Sequence, residues 1–301
     1  MTAGEAYYLM KPFGLAEPGS LSEALALLAE SADGAARPLA GGTALALMMK
    51  PGILQPDRLI SLRRIEACYS SIEQDEGGAL LIGALTPLRQ IELSDLVRGH
   101  APVINLALKR LSNVRVRNVA TIGGHLAHGD PHLDLPPVLI ALGAEITISG
   151  PSGERTIAVE DLFRSYLETS LELGELITSV RIPSQGARRA AYIKHTTRSA
   201  DDWPALGIAV SLDVDGETIR DARVAIGAAS EIPLRLKSVA QVLAGKSLDD
   251  RVLEAAGEAA SGETTVHSDA RGSAPYKREL IKVFTGRAIR KAMDAAVGGQ
   301  S

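Results

Sequence analysis

Cysteine is almost missing from this 301-residue chain: Cys68 is the only one. That excludes an internal disulfide, and it excludes zinc or an iron-sulfur cluster held by the chain's own thiolates. Long apolar runs are absent too, since no stretch approaches the ~20 residues of a membrane-spanning helix. The first fourteen residues lack the basic-then-apolar order of a secretion signal. The expectation is therefore a cytoplasmic protein that is not integral to a membrane. No charge of one sign dominates. A formal net charge of -4 gives no general attraction to nucleic acid. Neither Ala40-Gly41-Gly42-Thr43 nor Thr121-Ile122-Gly123-Gly124 carries the Gly-Lys-Ser/Thr ending of a Walker loop or fits the G-x-G-x-x-G dinucleotide fingerprint, and no G-x-S-x-G nucleophile elbow is present. Nor is there an internal repeat of 20 to 50 residues.

What remains is an ordinary globular composition, 46% apolar and 23% charged, in a chain long enough for two or three domains. Ser20 caps a helix predicted over Ser20 to Glu30, with apolar positions at 21, 24, 25 and 28. After a linker over 31 to 36, a short strand over Arg37 to Ala40 runs into Gly41, Gly42 and Thr43. A helix over Ala44 to Lys50 follows, then a strand over Arg58 to Leu62. Ser70 to Ile72 is expected to pair with Ala79 to Leu85, and Pro87 to Leu111 to be mostly helical. Val114 to Ile122 carries apolar residues at 114, 116, 119, 120 and 122 and is expected to approach a buried strand. It ends at a second Gly-Gly pair, Gly123 and Gly124. Asp134 then has the residue type of a helix N-cap, with Pro136 and Pro137 suited to the first turn.

Glu145 to Ser149 and Arg155 to Val159 flank a glycine-proline hairpin turn, and Glu175 to Ile182 is a strand ended by Pro183. The polar, basic stretch 184 to 189 marks a change of pattern. Beyond it, strands over Ala190 to Thr196, Ala205 to Val214 and Thr218 to Gly227 precede helices over Pro233 to Ala244, Leu248 to Ala260 and Pro275 to Ala295. Asp215-Gly216 is the hairpin signal between two of those strands. Strands followed by helices indicate a small α+β domain with a three-stranded sheet. A short polar tail is read over Val297 to Ser301.

The chemistry concentrates between the second glycine pair and the helix at Asp134. Consecutive glycines can aim successive backbone N–H groups into one concavity, and a neighbouring Thr hydroxyl adds a donor. Ala40-Gly41-Gly42-Thr43 and Thr121-Ile122-Gly123-Gly124 could thus hold a diphosphate, or be ordinary tight turns. His125, His128, Asp130, His132 and Asp134 are residue types that ligate zinc or iron, yet the prolines and glycine among them prevent a single helical face from presenting them. Hydrogen bonding to a polar ligand and a self-satisfied polar loop remain open beside the metal. Lys194, an isolated cation within a strand, ordinarily marks a solvated face.

At these residues the chain resembles the FAD-binding medium subunits of molybdenum-containing hydroxylases, the group that includes the carbon monoxide dehydrogenase flavoprotein and the flavin domain of xanthine dehydrogenase. The resemblance rests on A-G-G-T at 40 to 43, A-T-I-G-G-H-L-A-H-G-D-P-H-L-D-L-P at 120 to 136 and R-I-P at 181 to 183. It extends to V-A-I-G-A-A-S-E-I-P-L-R at 224 to 235 and S-D-A-R-G-S-A-P-Y-K-R at 268 to 278. It implies an FAD-binding domain over 1 to 184, with subdomains over about 1 to 60 and 61 to 184, and a C-terminal flavoprotein domain over 185 to 301. It also implies site residues. Leu39, Ala40, Gly41, Gly42, Thr43 and Ala44 would form one cofactor loop, and Thr121, Ile122, Gly123, Gly124 and His125 the other. His128 and Asp130 would also bind the cofactor, Asp134 would hydrogen-bond cofactor hydroxyls, and Ile177 and Lys194 would lie near the flavin ring. His125 stands where Asn or Ser often follows the glycine pair.

The activity implied is electron relay without a classical acid-base residue. Substrate would be oxidised at the molybdenum cofactor of a large partner. 2Fe-2S clusters of a small partner would feed FAD in this chain, and an external acceptor would take the electrons, within two copies each of three subunits. Two alternatives stay open at this point: a stand-alone flavin-dependent NADH reductase, and a metal-binding module built on the histidine cluster. Substrate and acceptor are not written in these residues.

Overall fold

A computed structural model describes residues 11–31 and 35–295; the tail read over Val297 to Ser301 and the middle of the linker lie outside them. The first unit is a three-stranded parallel sheet in which Arg58–Ser61 lies between Gly14–Ala16 and Ala36–Leu39. Helix Leu21–Ala29 packs on it, capped by the Ser20 hydroxyl, which accepts from the Glu23 N–H. Its small core gathers Ala24, Leu28, Ala36, Ile60 and Leu62.

A five-stranded antiparallel sheet follows, in the order Ile72–Gln74, Leu80–Gly83, Leu176–Ile182, Glu145–Gly150, Gly153–Ala158. Helices Leu88–Leu93, Asp95–His100 and Pro102–Leu108 belong to this unit. In the third unit the strands Arg189–His195, Leu206–Asp215 and Thr218–Gly227 form an antiparallel sheet. Helices Asp250–Glu263 and Ala274–Met293 pack together beside it. The fold is α+β.

Helix Leu135–Leu142 joins these units. All eight of its residues are buried, as a helix apolar on every side requires. It belongs to the core of the five-stranded sheet and also packs on strands Leu206–Asp215 and Thr218–Gly227. Tyr192, Ala209 and Ala225 of the third unit thereby enter the same core. The start of this helix, at Asp134, is therefore held from two sides.

Two expectations are corrected. Val114 to Ile122 forms no strand. Val114–Arg117 is a single helical turn capped by Asn113, and the next helix begins at Ile122. The reason is Arg117, whose buried guanidinium donates to Glu92 (2.9 Å) and to the carbonyls of Leu111 (2.8 Å) and Ser112 (2.6 Å). That curls the segment and leaves Val114 and Val119 exposed. In the third unit, the helix expected from Pro233 starts only at Lys237. Leu234–Arg235 instead pairs with Ala225 and Ile226, and Lys246–Ser247 with Thr218 and Ile219, so two short strands extend the three-stranded sheet.

Candidate functional site

Strand Ala36–Leu39 delivers the chain to Ala40 and Gly41, and Gly42 then adopts a left-handed conformation (φ 69°) at the N-cap of helix Thr43–Met49. A glycine cap has no side chain to satisfy the first helical donors. Among the described residues, no acceptor meets the N–H groups of Gly41 through Leu45; the first bond of the helix runs from Ala46 to Gly42. Gly41 itself is forced by proximity. A β-carbon there would lie 2.1 Å from the Val119 carbonyl oxygen. The first glycine loop thus rests directly on the segment that leads into the second.

The second glycine pair differs from the turn expected of it. Gly123 and Gly124 lie inside helix Ile122–Ala127, whose N-cap is Thr121. Most of its leading N–H groups are already taken: Ile122 donates to Thr86, Gly123 to Ala84, and Gly124 to the Thr121 hydroxyl oxygen (3.2 Å). Gly123 is needed because a β-carbon would stand 2.6 Å from that of Ala84. Only the first loop therefore presents an open run of donors, with the Thr121 hydroxyl free to donate nearby.

The histidines and aspartates do not converge. Among the described residues, no three His, Cys, Asp or Glu side chains stand as ligands of one metal ion. Burial holds the His125 imidazole neutral, pushing its pKa down to about 3, and its Nε2 has no hydrogen-bond partner. Burial also lowers His128, against the pull of Asp130. His132 turns toward the third unit, with Nδ1 2.9 Å from Asp130 Oδ1 and Nε2 3.0 Å from Asp269 Oδ2. Buried Lys277 donates to the same Asp269 oxygen (2.8 Å) and to the Ala228 carbonyl (3.0 Å). Half-exposed Trp203 meets His132 edge-on at 6.0 Å, with the Arg271 guanidinium 5.8 Å from its ring centre.

Asp134 occupies the N-cap position of helix Leu135–Leu142 but makes no capping bond. Its carboxylate instead faces strand Arg189–His195. Lys194 Nζ lies 2.9 Å from Oδ2, and the Tyr192 hydroxyl donates to Oδ1 at 2.7 Å. Lys194 also donates to the Arg110 carbonyl (2.8 Å). The solvated face expected for Lys194 is corrected: its side chain is 1% exposed, because helix Pro102–Leu108 packs on this strand and the Arg110 carbonyl and the Asp134 carboxylate enclose the ammonium. Burial pushes the Asp134 carboxyl up, and the Lys194 ammonium and Tyr192 hydroxyl pull against that. Burial drives the Tyr192 phenol well above its ordinary range, so it stays a donor.

Ile177 is buried on strand Leu176–Ile182, beside the register shift between Ile177 and Ser179. Helix Ile122–Ala127 packs on that strand. Tyr192 was not expected at the site, although it lies two residues before Lys194 and so on the same strand face. Gly207 was missed too: a β-carbon there would stand 2.7 Å from the Tyr192 hydroxyl.

Several of these groups keep unused bonding capacity. Open N–H groups suit an anion such as a diphosphate, and Asp134 has lone pairs left for hydroxyls. Lys194 has used two of its three protons, and the orphaned His125 nitrogen suits a further polar group.

Comparison with known proteins bears on what these groups bind. Residues 11–185 match the family described as FAD binding domain in molybdopterin dehydrogenase, and residues 191–292 match the CO dehydrogenase flavoprotein C-terminal domain. The glyceraldehyde dehydrogenase medium chain of Sulfolobus acidocaldarius is 33% identical over 279 residues, 93% of this chain and 98% of that one. The carbon monoxide dehydrogenase medium chain of Afipia carboxidovorans is 32% identical, covering 93% and 96%. Among solved structures, carbon monoxide dehydrogenase from Hydrogenophaga pseudoflava superposes with a TM-score of 0.92 at 32% identity, covering 96% of this chain and 100% of that chain.

Proposed function

This chain belongs to the family of FAD-binding subunits of molybdopterin dehydrogenases, and we propose that it is the electron-relaying medium subunit of such a complex. It is an oxidoreductase subunit with an FAD-binding domain. In our reading, electrons arrive from 2Fe-2S clusters of a small subunit, after substrate oxidation at the molybdenum cofactor of a large subunit, and leave to an external acceptor. The assembly would be a dimer of heterotrimers in the cytoplasm. Among the described residues no helix is long and apolar enough to cross a membrane.

The observation that carries the reading is the contact of Gly41 with Val119, which sets an open run of N–H donors against the loop that leads to Thr121. Leu39 to Ala44 would cradle the cofactor diphosphate through the N–H groups of Gly41 to Ala44, and Thr121 to Gly124 would close the opposite side with the Thr121 hydroxyl. Asp134 would accept from cofactor hydroxyls. His125, with one unpaired nitrogen, and Ile177 would line the pocket, with His128 and Asp130 beside it. FAD, when bound, exchanges electrons singly or in pairs and so links one-electron clusters to a two-electron acceptor. Lys194, fixed by Asp134 and the Arg110 carbonyl, would place a buried positive charge where it stabilises negative charge near the ring.

A stand-alone NADH reductase gains no support, because the similar proteins are named as medium chains or subunits of complexes. The test is the visible absorption spectrum of the purified chain, repeated on the supernatant after denaturation. Flavin bands that pass into the supernatant are expected. A folded, colourless chain that FAD cannot reconstitute would overturn the reading.

A further inference from the structure

Nothing in the local backbone orients the Asp134 carboxylate. The residue has helical dihedrals (φ -78°, ψ -35°) and makes no capping bond. Its orientation comes from across the chain, where each oxygen meets a different donor: Lys194 Nζ on Oδ2 (2.9 Å) and the Tyr192 hydroxyl on Oδ1 (2.7 Å). A single donor would leave the carboxylate free to turn about its terminal torsion, which is broad for aspartate. Two donors from one strand face, one on each oxygen, fix its plane.

The phenol is built into place. Tyr192 is buried, and its carbonyl accepts from Lys291 Nζ (3.1 Å) in helix Ala274–Met293. On the neighbouring strand Gly207 leaves the room that the hydroxyl needs, since a β-carbon there would lie 2.7 Å away. With each oxygen holding one bond, lone pairs remain for a ligand's hydroxyls.

We propose that Tyr192 is a positioning residue of the cofactor site, fixing the Asp134 carboxylate in the plane that receives cofactor hydroxyls, with Gly207 as the space that permits it. This rests on the reading that Asp134 contacts FAD. A purely structural tyrosine would support the core between the sheets without affecting binding through Asp134.

The test measures FAD dissociation from the full-length chain for Tyr192→Phe, Asp134→Asn and the double variant, with thermal unfolding of the apo form alongside. Tyr192→Phe keeps the ring and removes one bond to a charged acceptor, so affinity should fall about tenfold while the apo form still unfolds cooperatively. In the Asp134→Asn background the same change should have little further effect, because the pathway is already broken. Gly207→Ala, which crowds the hydroxyl without removing it, should weaken binding in the same direction. Unchanged affinity in Tyr192→Phe, or an equal loss in both backgrounds, would overturn the positioning role while leaving the cofactor reading intact. Failure of the unmodified chain to take up FAD would overturn both.

Discussion

Gly41 and Val119, 78 positions apart in the numbering, touch so closely that any β-carbon on the glycine would overlap the valine's backbone carbonyl, at 2.1 Å from its oxygen. The contact brings the open N–H run of the first loop to the approach of the second. It also makes the glycine a packing requirement. Gly41→Ala should therefore separate the loops, lower stability by about 1–3 kcal/mol as an overpacked site does, and reduce the flavin retained per chain. Gly262 provides the contrast: it lies in helix Asp250–Glu263 with open space around its absent side chain. Gly262→Ala should raise stability by about 0.5–1 kcal/mol. Thermal unfolding of both variants checks the pair, and a neutral Gly41→Ala would remove the case for a tight contact.

Lys194→Met should be among the most damaging single changes. It leaves the Asp134 carboxylate, whose side chain is 6% exposed, without its cation, and breaking a buried pair from one side costs about 3–5 kcal/mol. Denaturant unfolding measures this directly. Adding Asp134→Leu to the same chain should return part of the loss, because no buried charge then remains unpaired. A cost below about 1 kcal/mol for the single change would mean that the pair is open to water.

His125 predicts an acid-sensitive fold. Burial holds its pKa at about 3 in the folded chain, below the ~6.5 of an unfolded histidine. Between those values the unfolded state binds the extra proton. The contribution is therefore complete above pH ~6.5 and lost as pH falls toward 3, with a ceiling of roughly 5 kcal/mol. His125→Asn removes the titration, so its stability should vary less over that window than that of the unmodified chain. Parallel pH profiles for the two chains would argue against a buried neutral imidazole.

Asp269 acts in a lower window. Burial pushes its carboxyl up, but Lys277, His132 and the Arg271 amide outweigh that and hold it at about 2. The folded pKa lies below the unfolded value, so this stabilisation is present above pH ~4 and disappears as pH falls toward 2. Because solvent screens this partly exposed carboxylate, Asp269→Asn should cost no more than about 1 kcal/mol at pH 7 and close to nothing near pH 2. Equal destabilisation at both pH values would assign the cost to packing instead.

Much of the local architecture was legible in the residues alone. Ser20 marks its helix because the cap lies within the first turn, and Asp215-Gly216 marks its hairpin because Gly216 must take a positive φ (58°). Such signals act over a few residues, where backbone sterics and one hydrogen bond decide. Val114 to Ile122 misled for the complementary reason. Its apolar spacing suits a strand, but the bonds of Arg117 to Glu92, Leu111 and Ser112 curl it into helical turns.

The motifs at 40 to 43 and 120 to 136, with the two C-terminal stretches, pointed to the FAD-binding family from sequence alone. What the site is made of required the tertiary structure. Whether Lys194 faces water or a carboxylate depends on helix Leu135–Leu142 lying between two sheets. The bond from Tyr192 to Asp134 spans 58 positions, and no local pattern encodes it. The two Gly-Gly pairs look alike in one dimension, yet one offers free N–H groups and the other has given most of its own to Thr86, Ala84 and Thr121. The sequence by itself determined most of the local elements and the chemistry available to them. Packing decided which groups were left unpaired, because hydrogen bonds are satisfied by whichever partner the fold brings within reach.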